Sequence, residues 1–304
     1  MYSPITLDAL RALDAIDRRG SFAAAADELH RVPSALSYTI SKLEEDLELE
    51  LFDRRRRKAE LTPVGRLVLE QGRRILLATE ELTALAKQAA GGWEVELRIA
   101  VDSVFGCEAI YPLVEAFQRL QPRTEVRLME EVLAGSWDAL DSERCDLVIG
   151  VEEEPPGQGF ATQALGQVAF DFVVASDHPL ASMPQPLSLA TVQAYPTLVV
   201  ADSSRSLPVK STGLLDGRSR VVLPSIADKI EAQCLGMGVG YLPRHRIQQP
   251  LQQGRLKVLE LEQPRSPQTM YLAWRKSNKG KGLHWFIKQL KAARVDLQQG
   301  LLLS

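Results

Sequence analysis

A sharp break between two helix-like segments, followed by four arginines, is the feature that most constrains the fold of this chain. Residues 21–31 form an alanine-rich helical pattern. Pro33 fits only the first turn of another helix, because proline lacks the N–H that a helix interior requires. The segment therefore predicts either a helix-turn-helix or an ordinary helical hairpin with a solvated basic tail.

The helix that begins at Pro33 has two chemically different faces. Leu36, Ile40, Leu43 and Leu47 follow the spacing of a core-facing stripe. The opposite face carries side chains that can contact base edges and phosphates when a helix lies in a major groove. These are Ser34, Ser37, Tyr38, Ser41 and Lys42. The pattern favours groove binding, and a helix–helix packing unit is the alternative.

The sequence on either side of the arginine run alternates apolar and polar residues, as the two strands of a wing would. The run consists of Arg54, Arg55, Arg56 and Arg57. Arginines at the tip of a wing would contact phosphates or the minor groove. The alternative is a solvated charge cluster.

The spacing of these residues resembles the N-terminal domain of the LysR-type transcriptional regulators. The matching positions are Ala25, Ala26 and Leu29, then Ala35, Leu36, Ser37, Ile40, Leu43 and Glu44, and then Leu51, Phe52, Arg54, Arg57, Leu61, Thr62 and Gly65. The resemblance implies an all-α winged helix-turn-helix over residues 1–61 that binds double-stranded DNA at a site of dyad symmetry.

Two departures from the family pattern fall in the helix expected to read bases. Val32 and Pro33 stand where most members have Ser or Thr followed by Gln, so the usual glutamine contact is missing. Tyr38 stands where many members have Arg. We therefore expect base choice to shift to Ser34, Tyr38 and Lys42.

The sequence pattern of residues 62–91 predicts one long helix, with Thr62 as its N-cap. Its apolar residues recur on roughly one side, at Leu67, Ile75, Leu82 and Leu85. A narrow apolar stripe along a helix of this length indicates that the helix packs against a partner and is not exposed alone to solvent. The resemblance implies the linker helix through which family members form homodimers, and homotetramers are expected beyond them. An intramolecular packing helix is the alternative.

Residues 92–304 alternate strand-like and helix-like segments, which predicts a parallel sheet with helices on both sides. Three short motifs extend the resemblance to the family's effector-binding domain: Asp146–Gly150, His178–Ala181 and Gly236–Pro243. That domain is built from two α/β lobes, like a periplasmic binding protein. Lobe I is expected at about 92–161 and 266–304, and lobe II at about 162–265.

Ligands of such sheets bind outside the carboxyl ends of the strands. The candidate effector-binding residues are Asp102, Ser103, Val104, Glu130, Glu131, Val200, Asp202, Ser203, Ser225 and Tyr241. The acidic residues Asp102, Glu130 and Glu131 would oppose a bare carboxylate unless Arg205 or Lys229 compensates. We expect a neutral, hydroxylated or amine-bearing co-inducer, and no other cofactor.

Other classes of function find little support. The four histidines are scattered, and the sequence contains no zinc-protease motif, no nucleophile elbow and no phosphate-binding loop. The three cysteines have no paired spacing, so we expect buried thiols and no metal. Charges near the N-terminus and the lack of a long apolar run predict a cytoplasmic protein without a membrane partner.

These patterns together predict a sequence-specific DNA-binding regulator, not an enzyme, whose DNA binding or bending changes when a small molecule binds between two lobes. A contact with RNA polymerase stays open at this stage. The competing interpretation is a solute-binding or enzymatic α/β protein whose N-terminal helices only dimerise.

Overall fold

The computed structural model describes residues 5–53, 59–152, 157–210 and 219–292, and two short strands at 294–296 and 300–302. The chain divides into two compact units, Met1–Gln88 and Ala89–Ser304. Within the described residues, no helix is long and apolar enough to cross a membrane. The same residues contain no group of His, Cys, Asp or Glu side chains that could hold a metal ion.

The first unit is helical, and its helices begin where the sequence provides caps. They are α1 (Leu7–Arg19), α2 (Phe22–Glu28), α3 (Pro33–Leu47) and α4 (Pro63–Ala90). The hydroxyls of Thr6, Ser21 and Thr62 accept backbone N–H bonds at the starts of α1, α2 and α4. Helix α3 has no side-chain cap at Val32 and begins with Pro33. The predicted starts of α3 at Pro33 and of α4 after Thr62 are confirmed.

The core of this unit is formed by apolar stripes of α1, α2 and α3, and it includes the predicted residues Leu36, Ile40 and Leu43. Leu13 and Ile16 of α1 and Leu36 of α3 are fully buried. Ala25 and Ala26 of α2 are also fully buried, and their small side chains let this helix approach its neighbours closely. The packing leaves the opposite face of α3 in solvent.

The base of a wing follows α3. Phe52 and Leu61 form an antiparallel bridge, and the Asp53 N–H donates to the Glu60 carbonyl at 2.8 Å. The buried Glu44 carboxylate accepts the backbone N–H groups of Leu51 at 2.7 Å and of Phe52 at 3.1 Å. One side chain of α3 therefore fixes the direction in which the wing leaves.

Gly65 makes the return from the wing possible. A Cβ atom at this position would lie 2.1 Å from the backbone oxygen of Leu51, which no real side chain tolerates. The first turn of α4 can therefore pass directly against the outgoing strand.

The second unit is α/β. Its strands are β1 (Glu96–Asp102), β2 (Glu125–Glu131), β3 (Leu147–Val151), β4 (Phe160–Val168), β5 (Phe170–Ala175), β6 (Thr197–Val200), β7 (Arg220–Leu223), β8 (Gly240–Pro243), β9 (Leu256–Val258), β10 (Gln268–Arg275), β11 (Arg294–Asp296) and β12 (Gly300–Leu302). Its α-helices are α5 (Tyr111–Leu120), α6 (Ala134–Asp141), α7 (Leu189–Gln193), α8 (Ile226–Cys234), α9 (Gln248–Gln252) and α10 (Lys281–Ala292).

The strands form two lobes. The first lobe has a seven-stranded sheet in the order β12-β11-β4-β10-β3-β1-β2. The second has a three-stranded sheet, β8-β5-β9, and the pair β6-β7, connected by a bridge between Thr197 and Val239. Strand β10 returns to the first lobe, as predicted from its lack of neighbours. The predicted parallel pairing is confirmed for β1 with β2 and with β3, and β10 runs antiparallel to both β3 and β4.

Strand β4 was not predicted from the sequence. It pairs with β10 in the first sheet, so the chain leaves that sheet at Ala169 and not at about residue 161. Ala169 lies between β4 and β5 and is the first crossover between the lobes.

Candidate nucleic-acid and effector sites

The predicted DNA-reading side chains lie together on the exposed face of α3. Ser34, Ser37, Tyr38 and Ser41 are exposed, and 71% of the Tyr38 surface is accessible. Phenol and hydroxyl groups at successive turns can reach base edges or phosphates.

Lys42, the fifth residue of this face, has partners within its own helix. Its ammonium lies 2.7 Å from an Asp46 carboxylate oxygen and 3.3 Å from one of Glu45. Because these pairs are exposed, their free energy is small, and a DNA phosphate can replace either carboxylate. The other predicted cations, Arg54, Arg55, Arg56 and Arg57, lie outside the described residues.

Helix α4 presents two different apolar faces. One face packs on the core of the first unit through Leu69, with Gly72 in close contact with Leu10. The other face is open: Leu67 is 58% exposed, Ile75 45% and Leu82 66%, whereas Leu85 is half-buried. Since spacings of seven and eight residues put side chains on one side of a helix, these residues form a continuous stripe, here called the α4 stripe (Leu67, Ile75, Leu82 and Leu85).

A cavity lies between the two lobes of the second unit. It is lined by Asp102, Ser103, Val104, Val132, Leu133, Glu152, Phe170, Val200, Ile226, Lys229, Tyr241 and Arg265. Five of the ten predicted effector residues belong to this lining: Asp102, Ser103, Val104, Val200 and Tyr241. The cavity opens at the carboxyl ends of β1 and β6, where ligands of such sheets bind.

Three further candidates connect the lobes and lie outside the lining. The Ser203 hydroxyl donates to the Glu131 carboxylate and accepts the Val132 N–H at 2.8 Å. The Asp202 carboxylate accepts the Ala134 N–H at 3.3 Å. These contacts form a clamp between lobes, called the serine clamp (Glu131, Val132, Ala134, Asp202 and Ser203).

Arg144 strengthens the first-lobe side of the serine clamp, because its guanidinium donates to both Glu131 and Asp138. The last two candidates also lie outside the lining. Ser225 caps α8 by accepting the Asp228 N–H, and Glu130 is exposed outside the lining. Arg205, expected as a compensating cation, is exposed and does not line the cavity.

A second clamp also joins the two lobes. His245 Nε2 is 3.0 Å from the Val104 carbonyl, and Arg246 donates to the Ser103 carbonyl at 2.9 Å. The His245 ring stacks on Phe105 with 5.8 Å between centroids. Burial lowers the pKa of His245 to about 4, so the ring is neutral at neutral pH and donates to the carbonyl. We call this pair of contacts the histidine clamp.

Burial perturbs two ionisable groups in the cavity in opposite directions. It raises the pKa of Asp102 to about 8, although the carboxyl group accepts the Val104 N–H and the Ser136 hydroxyl. It lowers the pKa of Lys229 to about 7, and the Lys229 ammonium donates to the Tyr241 carbonyl at 2.8 Å. At neutral pH Asp102 is therefore mainly protonated.

Lys229, which was expected only as a compensating charge, lines the cavity, and so do Arg265, Glu152 and Phe170, which the sequence did not predict. A signal for Lys229 existed. It stands in the buried stripe of α8 between Ile226 and Ile230, where an apolar residue is the rule. For Arg265 no periodicity is available, since it lies in the irregular segment before β10.

Replacing Asp102 with asparagine is expected to change how stability depends on pH. Folding raises the pKa of the Asp102 carboxyl group from 3.8 to about 8, so the folded protein keeps this proton at pH values where the unfolded chain has released it. The stability that the protonated group contributes is therefore lost progressively as the pH rises from its unfolded to its folded pKa. Between pH 5 and 7 the wild type should lose about 1.4 kcal/mol per pH unit relative to D102N.

Urea unfolding followed by tryptophan fluorescence measures this difference. All four tryptophans, Trp93, Trp137, Trp274 and Trp285, lie in the second unit, so the signal reports that unit alone. Parallel stability profiles of the two proteins would mean that Asp102 is ionised in the folded state.

Comparison with known families agrees with both halves of this architecture. Residues 7–66 match the bacterial regulatory helix-turn-helix protein, lysR family. Residues 90–294 match the LysR substrate binding domain. The chain belongs to the LysR family of transcriptional regulators. This LysR-type regulator thus combines a DNA-binding helix-turn-helix domain with an effector-binding domain.

Relatives of this LysR-type regulator cover almost its whole length. The HTH-type transcriptional regulator YhaJ of Escherichia coli is 40% identical over 287 residues, which are 94% of this chain and 96% of that protein. The regulator PunR of Escherichia coli is 39% identical over 282 residues, 92% of this chain and 91% of that protein.

Solved structures share the fold. An OxyR mutant of Corynebacterium glutamicum is 23% identical, with a TM-score of 0.63, over 96% of this chain and 93% of that one. Full-length LysG of Corynebacterium glutamicum with bound effector Arg is 23% identical, with a TM-score of 0.51, over 96% of this chain and 97% of that one. The two-lobed α/β architecture is therefore that of the family.

Proposed function

We propose that this LysR-type regulator acts in the cytoplasm as a homodimer on an operator of dyad symmetry, and that a small molecule between its lobes changes how it binds or bends DNA. The observation that carries the proposal is the exposed face of α3, where Ser34, Ser37, Tyr38 and Ser41 lie opposite the buried stripe. In this arrangement α3 enters the major groove and Arg54–Arg57 contact the backbone.

The α4 stripe supports the homodimer. Three large apolar side chains that are each at least 45% exposed form a surface that another copy of α4 can bury. A two-fold axis through this contact would present two α3 helices to two half-sites, which is why the operator should be an inverted repeat. Tetramers would span two such sites, and a contact with RNA polymerase would connect DNA binding to transcription.

The two clamps beside the cavity support the effector role. The serine clamp and the histidine clamp hold the lobes in one relative position, and both include residues that line the cavity. Asp102, Ser103, Val104, Val200 and Tyr241 are proposed to contact the effector. A ligand that fits one lobe arrangement better than another shifts the protein toward that arrangement.

Selection from genomic DNA tests the proposal. Full-length protein is incubated with sheared DNA of its source organism near physiological salt, and the retained fragments are sequenced. We expect a few intergenic fragments that share an inverted repeat. Retention that ignores sequence and disappears with a modest increase in salt would refute sequence-specific regulation.

A further inference from the structure

The Lys229 side chain has a position that the stability of the fold does not explain. It is only 6% exposed and lies near the N-terminal end of α8, where the helix dipole disfavours a cation. Its ammonium donates to the Tyr241 carbonyl, but no carboxylate of the described residues forms an ion pair with it. Burial lowers the pKa of Lys229 to about 7, and a bound anion would offset the cost of charging it, so a buried lysine without a carboxylate partner indicates a ligand.

Arg265 is the second cation in the lining of the cavity. Its guanidinium carbon lies 4.0 Å from the centroid of the Phe170 ring, so the guanidinium group is held over the ring. One N–H group donates to the Gln268 side chain at 2.6 Å. A guanidinium group has five N–H donors, so this single contact leaves donors that can turn toward the cavity.

The acidic residues near the cavity cancel little of this positive charge. Asp102 is mainly protonated at neutral pH, because burial raises its pKa. The Glu131 carboxylate accepts hydrogen bonds from Arg144 and Ser203 in the serine clamp. Glu152 also lines the cavity, and its charge acts on Arg265. Lys229 and Arg265 therefore face the Glu152 carboxylate in the described lining. Because burial lowers the pKa of Lys229 to about 7, an anion bound beside it would favour the protonated form.

We propose that the cavity binds a small molecule with one carboxylate group, held between the Lys229 ammonium and the Arg265 guanidinium, with an apolar body against the aliphatic lining. This inference rests on the proposed effector role of the cavity. It replaces the expectation of a neutral or amine-bearing co-inducer, which assumed three repelling carboxylates. Charge-assisted hydrogen bonds from both cations to one carboxylate explain why the fold maintains a buried lysine.

The remaining lining agrees with such a ligand. Val104, Val132, Leu133 and Ile226 provide aliphatic surface, and the protonated Asp102 carboxyl can donate a hydrogen bond. A ligand with a cationic group would instead meet Lys229 and Arg265 directly, and their repulsion would oppose its binding.

Thermal unfolding of the full-length protein with matched probes tests the inference. The probes are acetate, butyrate, benzoate, phenylacetate and salicylate, each compared with its own amide at the same millimolar concentration. We expect at least one carboxylate to raise the Tm by several degrees while its amide does not, because binding to the folded state alone stabilises it. If no carboxylate stabilises the protein more than its amide, the inference is wrong.

Variants identify the groups involved. Lys229→Met should fold at least as stably as the wild type, because it removes a buried charge, and should lose the carboxylate-dependent shift. Arg265→Gln should lose it as well, which gives a second measurement if either variant fails to fold. Lys291→Met, an exposed change in α10, should keep the shift. A full shift in a folded K229M or R265Q protein would overturn the inference.

Selection from genomic DNA separates this inference from the proposed function. A protein that binds benzoate through Lys229 but retains DNA without sequence preference would keep the carboxylate site and refute the regulator. A protein that selects an inverted repeat but does not distinguish acids from amides would keep the regulator and refute the carboxylate site.

Discussion

Ser37→Glu is expected to weaken operator binding by about two orders of magnitude or more. Ser37 lies exposed on α3 between Ser34 and Ser41, on the face proposed to enter the groove. A carboxylate there approaches phosphates and base edges, and like charges brought together cost several kcal/mol at an interface. The fold should not change, because the side chain is in solvent and glutamate is a good helix former.

Fluorescence anisotropy with a selected operator fragment measures this loss. Ser266→Glu is the matched control, because it adds the same charge at an exposed position in the second unit. That variant should bind the operator with almost the wild-type affinity, since the second unit is not the one proposed to enter the groove. Equal binding by S37E and S266E would show that α3 does not face the groove.

The double variant Ile75→Asp/Leu82→Asp is expected to be a monomer with greatly reduced operator affinity. Both residues belong to the α4 stripe and are 45% and 66% exposed. Two carboxylates from each copy would have to be buried against the same groups of the partner, which no apolar interface tolerates. Loss of the second DNA-binding head removes the avidity of a paired site, worth about 10²–10⁴ in affinity.

Light scattering after size-exclusion chromatography measures the mass, and anisotropy measures the affinity. Leu77→Asp is the control: this residue is 57% exposed on the same helix. It lies two positions from Ile75 and so about 200° around the helix axis. It should remain a dimer with normal affinity. A dimeric I75D/L82D protein, or a monomeric L77D protein, would place the interface elsewhere.

The helical unit was the most predictable part of the chain, because its information is local. Thr6 and Ser21 act as caps within three residues of their partners, and the spacing of Leu36 and Ile40 defines a buried face. Strand direction is different. The side-chain period of a strand is the same whichever way it runs, so nothing in the β10 sequence reveals that it lies antiparallel to β3.

The effector site was only half predictable, for a related reason. Residues after the carboxyl ends of β1 and β6 were found by the general rule for α/β sheets. The same rule selected Glu131 and Ser203, which contact each other across 72 positions of sequence and so hold the lobes together. Their pairing depends on the relative position of two lobes, which no local pattern contains. Lys229 was detectable only as a misfit in an apolar stripe.

The Glu44 carboxylate, which receives the backbone N–H groups of Leu51 and Phe52, has a consequence for how operators are distinguished. It joins α3 rigidly to the base of the wing. In the proposed complex the protein would therefore set the distance between the base contacts of α3 and the backbone contacts of the wing. An operator whose groove geometry differs must therefore adapt itself. The elastic cost of that adaptation depends on base steps that the protein never touches, so DNA flexibility becomes part of the recognised sequence.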